Sequence, residues 1–155
     1  MIRKLFFIFI LSIMGVGIVS AQGHHRKDRE KMMKELWEFK LKYLAQEMEL
    51  QSDQQERFFA LYNEMSAKRR ECMSAAWKLE RKVKRSKDAT ESDYEAAAEA
   101  MSKAKIEDAK IEKEYDEKFS EFLSQKQIYK MKTAENEFRK KMQEMRNKRG
   151  KDRHR

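Results

Sequence analysis

Proline is absent from this 155-residue chain, cysteine occurs once, and the only glycines past residue 21 are Gly23 and Gly150. Each scarcity closes off a class of protein. A single cysteine, Cys72, allows no internal disulfide, so stability has to come from packing. With no glycine between Gly23 and Gly150, a phosphate-cradling loop has nowhere to form. The three histidines, His24, His25 and His154, lie near the ends, so Cys72 has no imidazole in the body of the sequence to activate it. Neither an enzyme nor a nucleotide-driven machine is expected.

What the chain does contain is helix-forming: Ala, Glu, Lys, Met, Gln and Arg dominate residues 28–145. Ahead of them stand a basic start (Met1–Lys4), an apolar run from Leu5 to Ile18, and the small residues of Val19-Ser20-Ala21. This is the layout of a cleaved secretory leader over residues 1–21, too short in its apolar part for a bilayer span. The mature chain is then expected to begin at Gln22 as a soluble periplasmic protein, with a flexible stretch over 22–27, one helical domain over 28–145, and a disordered tail over 146–155. In that tail six of ten residues are basic. Removing Arg3 and Lys4 from 36 basic residues leaves 34 against 27 acidic, a formal net charge of +7. Export makes nucleic acid a poor partner for this basicity. Anionic membrane surfaces and acidic or unfolded polypeptides remain.

Apolar spacing divides the domain into four helices. The first, roughly 28–49, has a broad aromatic face with Trp37, Phe39 and Tyr43. The second, Asp53 to about Arg85, carries a seam at Phe58, Tyr62, Met65, Arg69, Cys72, Ala76, Leu79 and Val83, spaced alternately by four and three. Ser52 with Gln55 three residues on has the form of a capping box at its start. After Ser86–Ala89, with Thr90 or Ser92 as cap, a third seam runs through Tyr94, Ala97, Met101, Ala104, Asp108, Ile111, Tyr115 and Phe119. A fourth helix starts at Ser124 and carries Ile128, Met131, Phe138, Met142 and Met145. The short joint predicts an elongated antiparallel hairpin turning near Asp88, which brings Val83 level with Tyr94, Arg69 with Asp108, and Phe58 with Phe119. Arg69 and Asp108, one charged residue per seam, are expected to pair. Apolar side chains beyond the seams (Phe59, Leu61, Met73, Trp77) point to a homodimer.

Several residues are candidate binding groups. Lys68, Arg70, Arg81, Lys82, Lys84 and Arg85 form a basic set suited to unfolded clients, although a solvated helix face has the same composition. At the expected mature terminus, the Gln22 amine, two amide nitrogens and the His24 imidazole have the donor set of a square-planar Cu(II) or Ni(II) site, with His25 as a further ligand. No other cofactor is expected. Cys72, on the seam, reads as a small buried apolar residue.

Two segments carry a motif. Leu123-Ser124-Gln125-Lys126-Gln127 resembles the LTxxQ repeat of the Spy/CpxP family of periplasmic chaperones and stress-sensing adaptors, with serine in place of threonine. Leu50-Gln51-Ser52-Asp53-Gln54 is a looser copy that keeps Leu50 and Gln54. Phe58–Glu64 after the first and Glu135–Arg139 after the second also resemble the family, as do helix order and size. The resemblance implies a four-helix, cradle-shaped dimer in the periplasm that holds unfolded proteins without ATP, or reports envelope or metal stress to a membrane sensor. Leu50, Gln54, Leu123, Ser124 and Gln127 would then be structural positions, with the leucines packed under the helix starts and Ser and Gln closing the caps.

Overall fold

The computed structural model describes residues 24–152. The expected leader, Gln22, Gly23 and residues 153–155 lie outside the described residues. Four α-helices, with no strand among the described residues, follow in order: α1 (His24–Glu47), α2 (Ser52–Arg85), α3 (Glu91–Ser120) and α4 (Gln125–Asp152). The outer boundaries differ from expectation. Helix α1 opens at His24 instead of Asp28, and α4 continues past Met145 to Asp152. Both extensions are rich in lysine and arginine, which are good helix formers, and no proline stops them.

The chain divides between Tyr43 and Leu44 into two compact units. In the first, α1 carries the i,i+4 pairs Arg26–Glu30 at 3.1 Å and Lys34–Glu38 at 3.9 Å. The Lys40 ammonium lies 5.4 Å from the centre of the Trp37 ring.

The second unit contains the end of α1 and the other three helices. Its core is aromatic where the first half of α2 meets the second half of α3. Phe58, Tyr62, Tyr115 and Phe119 are fully buried there, with the Phe58 ring centre 5.6 Å from that of Phe119 and 5.4 Å from that of Tyr62, the rings tilted against each other. Leu44 and Met48 from α1 and Ile128, Met131 and Ala134 from α4 are buried in the same unit. Each such large side chain contributes about 1.5–3 kcal/mol by leaving water. Toward the α2–α3 joint the buried seam residues shrink to Ala76, Ala97 and Ala104. Alanine lets two helices approach closely but removes little apolar surface, so this end has a thinner core.

Polar partners between α2 and α3 follow one register, with numbers falling along α2 as they rise along α3. They are Lys82–Asp93 at 3.3 Å, Arg69–Asp108, Glu64–Tyr115 and Arg57–Glu121. Arg69 forks onto Asp108, its Nε donating to Oδ1 at 2.6 Å and its Nη2 to Oδ2 at 2.8 Å, with each side chain about a quarter exposed. A bidentate guanidinium–carboxylate pair sheltered to this degree is stronger than a surface ion pair. The hydrogen bonds it donates to Asp108 hold the Arg69 guanidinium charged well above the ordinary arginine range.

No polar or charged residue is fully buried among the described residues, yet two buried tyrosines reach polar partners at the edge of the core. Tyr62 donates to Glu135 of α4, and Tyr115 donates to Glu64 at 2.5 Å. Burial raises the Tyr62 phenol far above its usual range, so it stays a donor. Lys132 fastens α4 to α3 by bridging Glu112 at 2.5 Å and Asp116 at 2.6 Å. Burial works against its charge, but Asp116 and Glu112 outweigh that and raise its pKa.

The Arg69–Asp108 pair generates a test. Arg69→Met strands the Asp108 carboxylate at the seam and Asp108→Leu leaves Arg69 only Glu112 at 3.9 Å, whereas the double replacement removes both charges. We expect a coupling of about 1–2 kcal/mol in a double-mutant cycle read by urea unfolding, between exposed and fully buried pairs. Additive single effects would show that the pair contributes nothing.

Candidate binding surface and the paired helix starts

Helix α1 ends by running out of right-handed backbone. The Leu50 amide donates to the Ala45 carbonyl at 3.0 Å and the Glu49 amide to Gln46 at 3.1 Å, the two reversed bonds of a Schellman motif. That motif needs a left-handed residue, and Glu49 supplies it with φ of 55°. Glycine is the usual occupant, because a side chain there costs about 1–2 kcal/mol. Glu49 reaches Lys130 of α4 at 2.7 Å, and this ammonium holds its carboxyl below the usual carboxylate range.

Leu50 is buried directly after this turn, and Gln51 follows it in extended backbone before α2 (φ −69°, ψ 156°). Gln51, not Ser52, is therefore the N-cap, and the expected Ser52–Gln55 box does not form. The box partner is Gln54, whose Oε1 accepts from the Gln51 amide at 3.0 Å. Gln55 turns back and donates to the Leu50 carbonyl at 3.4 Å. The fourth helix starts in the same frame. Ser124 is the cap, its Oγ accepting from the Gln127 amide at 3.2 Å while Gln127 Oε1 accepts from the Ser124 amide at 3.0 Å. Leu123 is buried as Leu50 is.

The two starts are bonded to each other. Gln127 Nε2 donates to Gln54 Oε1 at 2.9 Å, and Gln54 Nε2 donates to the Phe122 carbonyl at 3.0 Å. Gln54 thus serves its own cap, the other motif's glutamine and the last turn before α4. Arg57 closes the side of this cluster by pairing with Glu121 while lying 4.4 Å from the centre of the Phe122 ring. Sequence reading missed this link between motifs, since a repeat shows that two sites are alike and not that they touch.

The joint between α2 and α3 is capped by Thr90. Its Oγ1 accepts from the Asp93 amide at 3.2 Å, and Asp93 accepts from the Thr90 amide at 3.1 Å and from its hydroxyl at 2.8 Å. These bonds, together with Lys82, hold the Asp93 carboxyl below its ordinary range.

The candidate basic set separates into engaged and open members. Lys68 pairs with Glu114 at 3.6 Å and Glu64 at 3.8 Å and lies 5.2 Å from the Tyr115 ring centre, Lys82 binds Asp93, and Lys84 binds Glu80 at 2.5 Å. Arg70 is exposed, stands one turn before Met73 and has partners of its own. Arg81 and Arg85 are exposed and hold no ion pair among the described residues. Beside them Trp77 is 41 % exposed, and elsewhere in this unit Tyr94, Ile106 and Tyr129 are 52, 60 and 70 % exposed. Ile106 sits in the α3 ridge Lys103–Ile106–Lys110–Lys113. Tyr94 stands among acids, and the lysines either side of Ile106 pair with neighbours, Lys103 with Glu99 at 2.7 Å and Lys110 with Glu107 at 3.3 Å. Exposed apolar groups beside charged ones are thus the surface feature this unit offers a ligand.

Gln22 lies outside the described residues, while His24 and His25 form the first turn of α1. Among the described residues no group of three His, Cys, Asp or Glu is placed to hold a metal ion, and no helix is long and apolar enough to cross a membrane. Cys72 is only half-buried, not enclosed. Its Sγ contacts the Arg69 carbonyl at 3.3 Å, and burial raises the thiol's pKa, which keeps it a weak nucleophile. Comparison with protein-family models, with characterised proteins and with solved structures finds no match to the chain.

Two measurements check these joints. Gln54→Ala should destabilise by about 1–3 kcal/mol in thermal unfolding because it leaves several polar groups unpaired at once, while Gln55→Ala should cost under half as much. Equal losses would remove Gln54 from its central place. The depressed Asp93 carboxyl stabilises the fold above the unfolded aspartate pKa of about 3.9, and that stability is lost as pH falls through the folded value. Asp93→Asn should therefore melt lower than wild type at neutral pH and lose less on acidification. Parallel acid profiles would contradict this.

Proposed function

We propose that this chain is an ATP-independent periplasmic chaperone of the Spy/CpxP kind, which holds unfolded or aggregation-prone polypeptides on an elongated antiparallel hairpin or cradle and works as a dimer. On this reading residues 1–21 are a cleaved leader and the working chain begins at Gln22. The observation that carries it is the pair of most exposed large apolar side chains, each beside lysines: Ile106, in line with Lys103, Lys110 and Lys113 on α3, and Tyr129, one turn after Lys126 on α4. Unfolded chains present both apolar groups and carboxylates. Such a surface draws them in by charge and retains them by apolar contact, without requiring a defined sequence. The shared cap frame of Gln54 and Gln127 supports the family resemblance, since it assigns both motifs one structural task.

A cycle without nucleotide requires binding weak enough to reverse. Charge at the edge of a contact acts mainly on association, so salt should slow capture more than it speeds release. Apolar contacts act mainly on lifetime, and removing one half-exposed side chain weakens binding by about 1 kcal/mol, or roughly fivefold in off-rate.

The test is light scattering from several unrelated unfolding clients mixed with residues 22–155 in nucleotide-free buffer. Stoichiometric protein should delay aggregation, added salt should lengthen the capture phase, and Ile106→Ser with Tyr129→Ser should shorten the bound lifetime. If no client's aggregation changes at low salt, the chaperone reading fails. Specific affinity for a membrane sensor's periplasmic domain would then favour a signalling adaptor.

A further inference from the structure

At the α2–α3 joint the charges divide by helix. Arg81 and Arg85 stand one turn apart at the end of α2, and Glu91 and Glu95 one turn apart at the start of α3. All four are exposed and hold no ion pair among the described residues. The helix dipoles favour a base near the end of α2 and an acid near the start of α3, which accounts for Arg85 and Glu91 singly. It does not account for the second member of each row, nor for the two aromatic side chains beside them. Trp77 is one turn before Arg81, and Tyr94 lies between the glutamates, 41 and 52 % exposed. The Lys82–Asp93 bridge marks one side of the hairpin, and Trp77 lies about 140° round α2 from Lys82, at 100° per residue. Tyr94 lies about 100° round α3 from Asp93. The joint therefore presents a basic row, an acidic row and two uncovered rings.

Both rows have the same pitch, about 6 Å for four residues at 1.5 Å each. A row of two cations matches a row of two anions at that pitch, and this protein carries one of each on neighbouring helices. A two-fold contact needs a self-complementary patch of this kind, since each contact then occurs twice. The thin alanine seam beneath leaves the apolar surface at this end for another body to cover.

We infer that a second copy of this chain docks on the α2–α3 joint, with Arg81 and Arg85 of each copy set against Glu91 and Glu95 of the other, and with Trp77 and Tyr94 covered between them. This rests on the dimer of the proposed reading and specifies its face. In the dimer, Trp77 is withdrawn from clients, leaving Ile106 and Tyr129 to bind them.

The experiment is sedimentation of residues 22–155 and of two charge-reversed variants, Arg81→Glu with Arg85→Glu, and Glu91→Lys with Glu95→Lys. Each variant alone sets like charges together, and its dimerisation should weaken at least tenfold. An equimolar mixture of the two sets opposite charges together at both contacts, so heterodimers should form, and the fourfold variant carrying all changes should self-associate again. Recovery on mixing also shows that the variants are folded. Wild-type dimers that persist unchanged in both variants would overturn this face while leaving the dimer intact. Variants that stay monomeric when mixed would overturn the charge pairing. A wild type that remains monomeric at low salt would overturn both the face and the dimer, whereas chaperone activity is judged separately by light scattering.

Discussion

The Gln54 side-chain amide is the point on which the arrangement of the second unit turns. A helix start leaves backbone amides without partners, and placing two starts beside each other doubles the number to be satisfied. Gln54 accepts from its own cap and from Gln127, and it donates to the carbonyl that closes the turn before α4. The entry of α2 and the entry of α4 are thereby held at one distance from each other. Leu50 and Leu123, buried just ahead of the caps, anchor the same two turns from the apolar side.

Packing is uneven along the pair of long helices, and the unevenness has consequences for the surface. Near the linked starts, four buried aromatic residues and the apolar side chains of α1 and α4 make a core several residues thick. Toward the opposite joint the seam narrows to alanines, with Cys72 only half-buried. Free energy gained by burial is accordingly concentrated at one end. The other end is held by its Thr90–Asp93 cap and by charged pairs across the helices. There the larger apolar side chains, Trp77 and Tyr94, are left facing water.

The charge distribution follows the same division. Where helices meet, cations are consumed: Arg69 by Asp108, Lys132 by Glu112 and Asp116, Lys130 by Glu49. A net positive chain nonetheless has bases to spare, and those left over, such as Arg81 and Arg85, stand on the outer ridges. Inward charges therefore set helix register, and outward charges are available to meet another molecule.

From the sequence alone, the number, order and type of the helices could be derived, because lack of proline and interior glycine leaves helix as the only consistent reading and the seams recur every three or four residues. The level placement of Arg69 and Asp108 follows from the same arithmetic, since spacing is local and a short joint transmits it from one helix to the next. What the tertiary structure decided is whatever depends on two distant segments meeting. Gln51 rather than Ser52 caps α2, because the left-handed turn at Glu49 and the burial of Leu50 choose the frame. Gln54 bonds Gln127, 73 positions further along the chain. The basic residues separate into engaged and open sets only once the acids of neighbouring helices are in place, since a helix's own sequence specifies which charges it carries and not which of them another helix will meet.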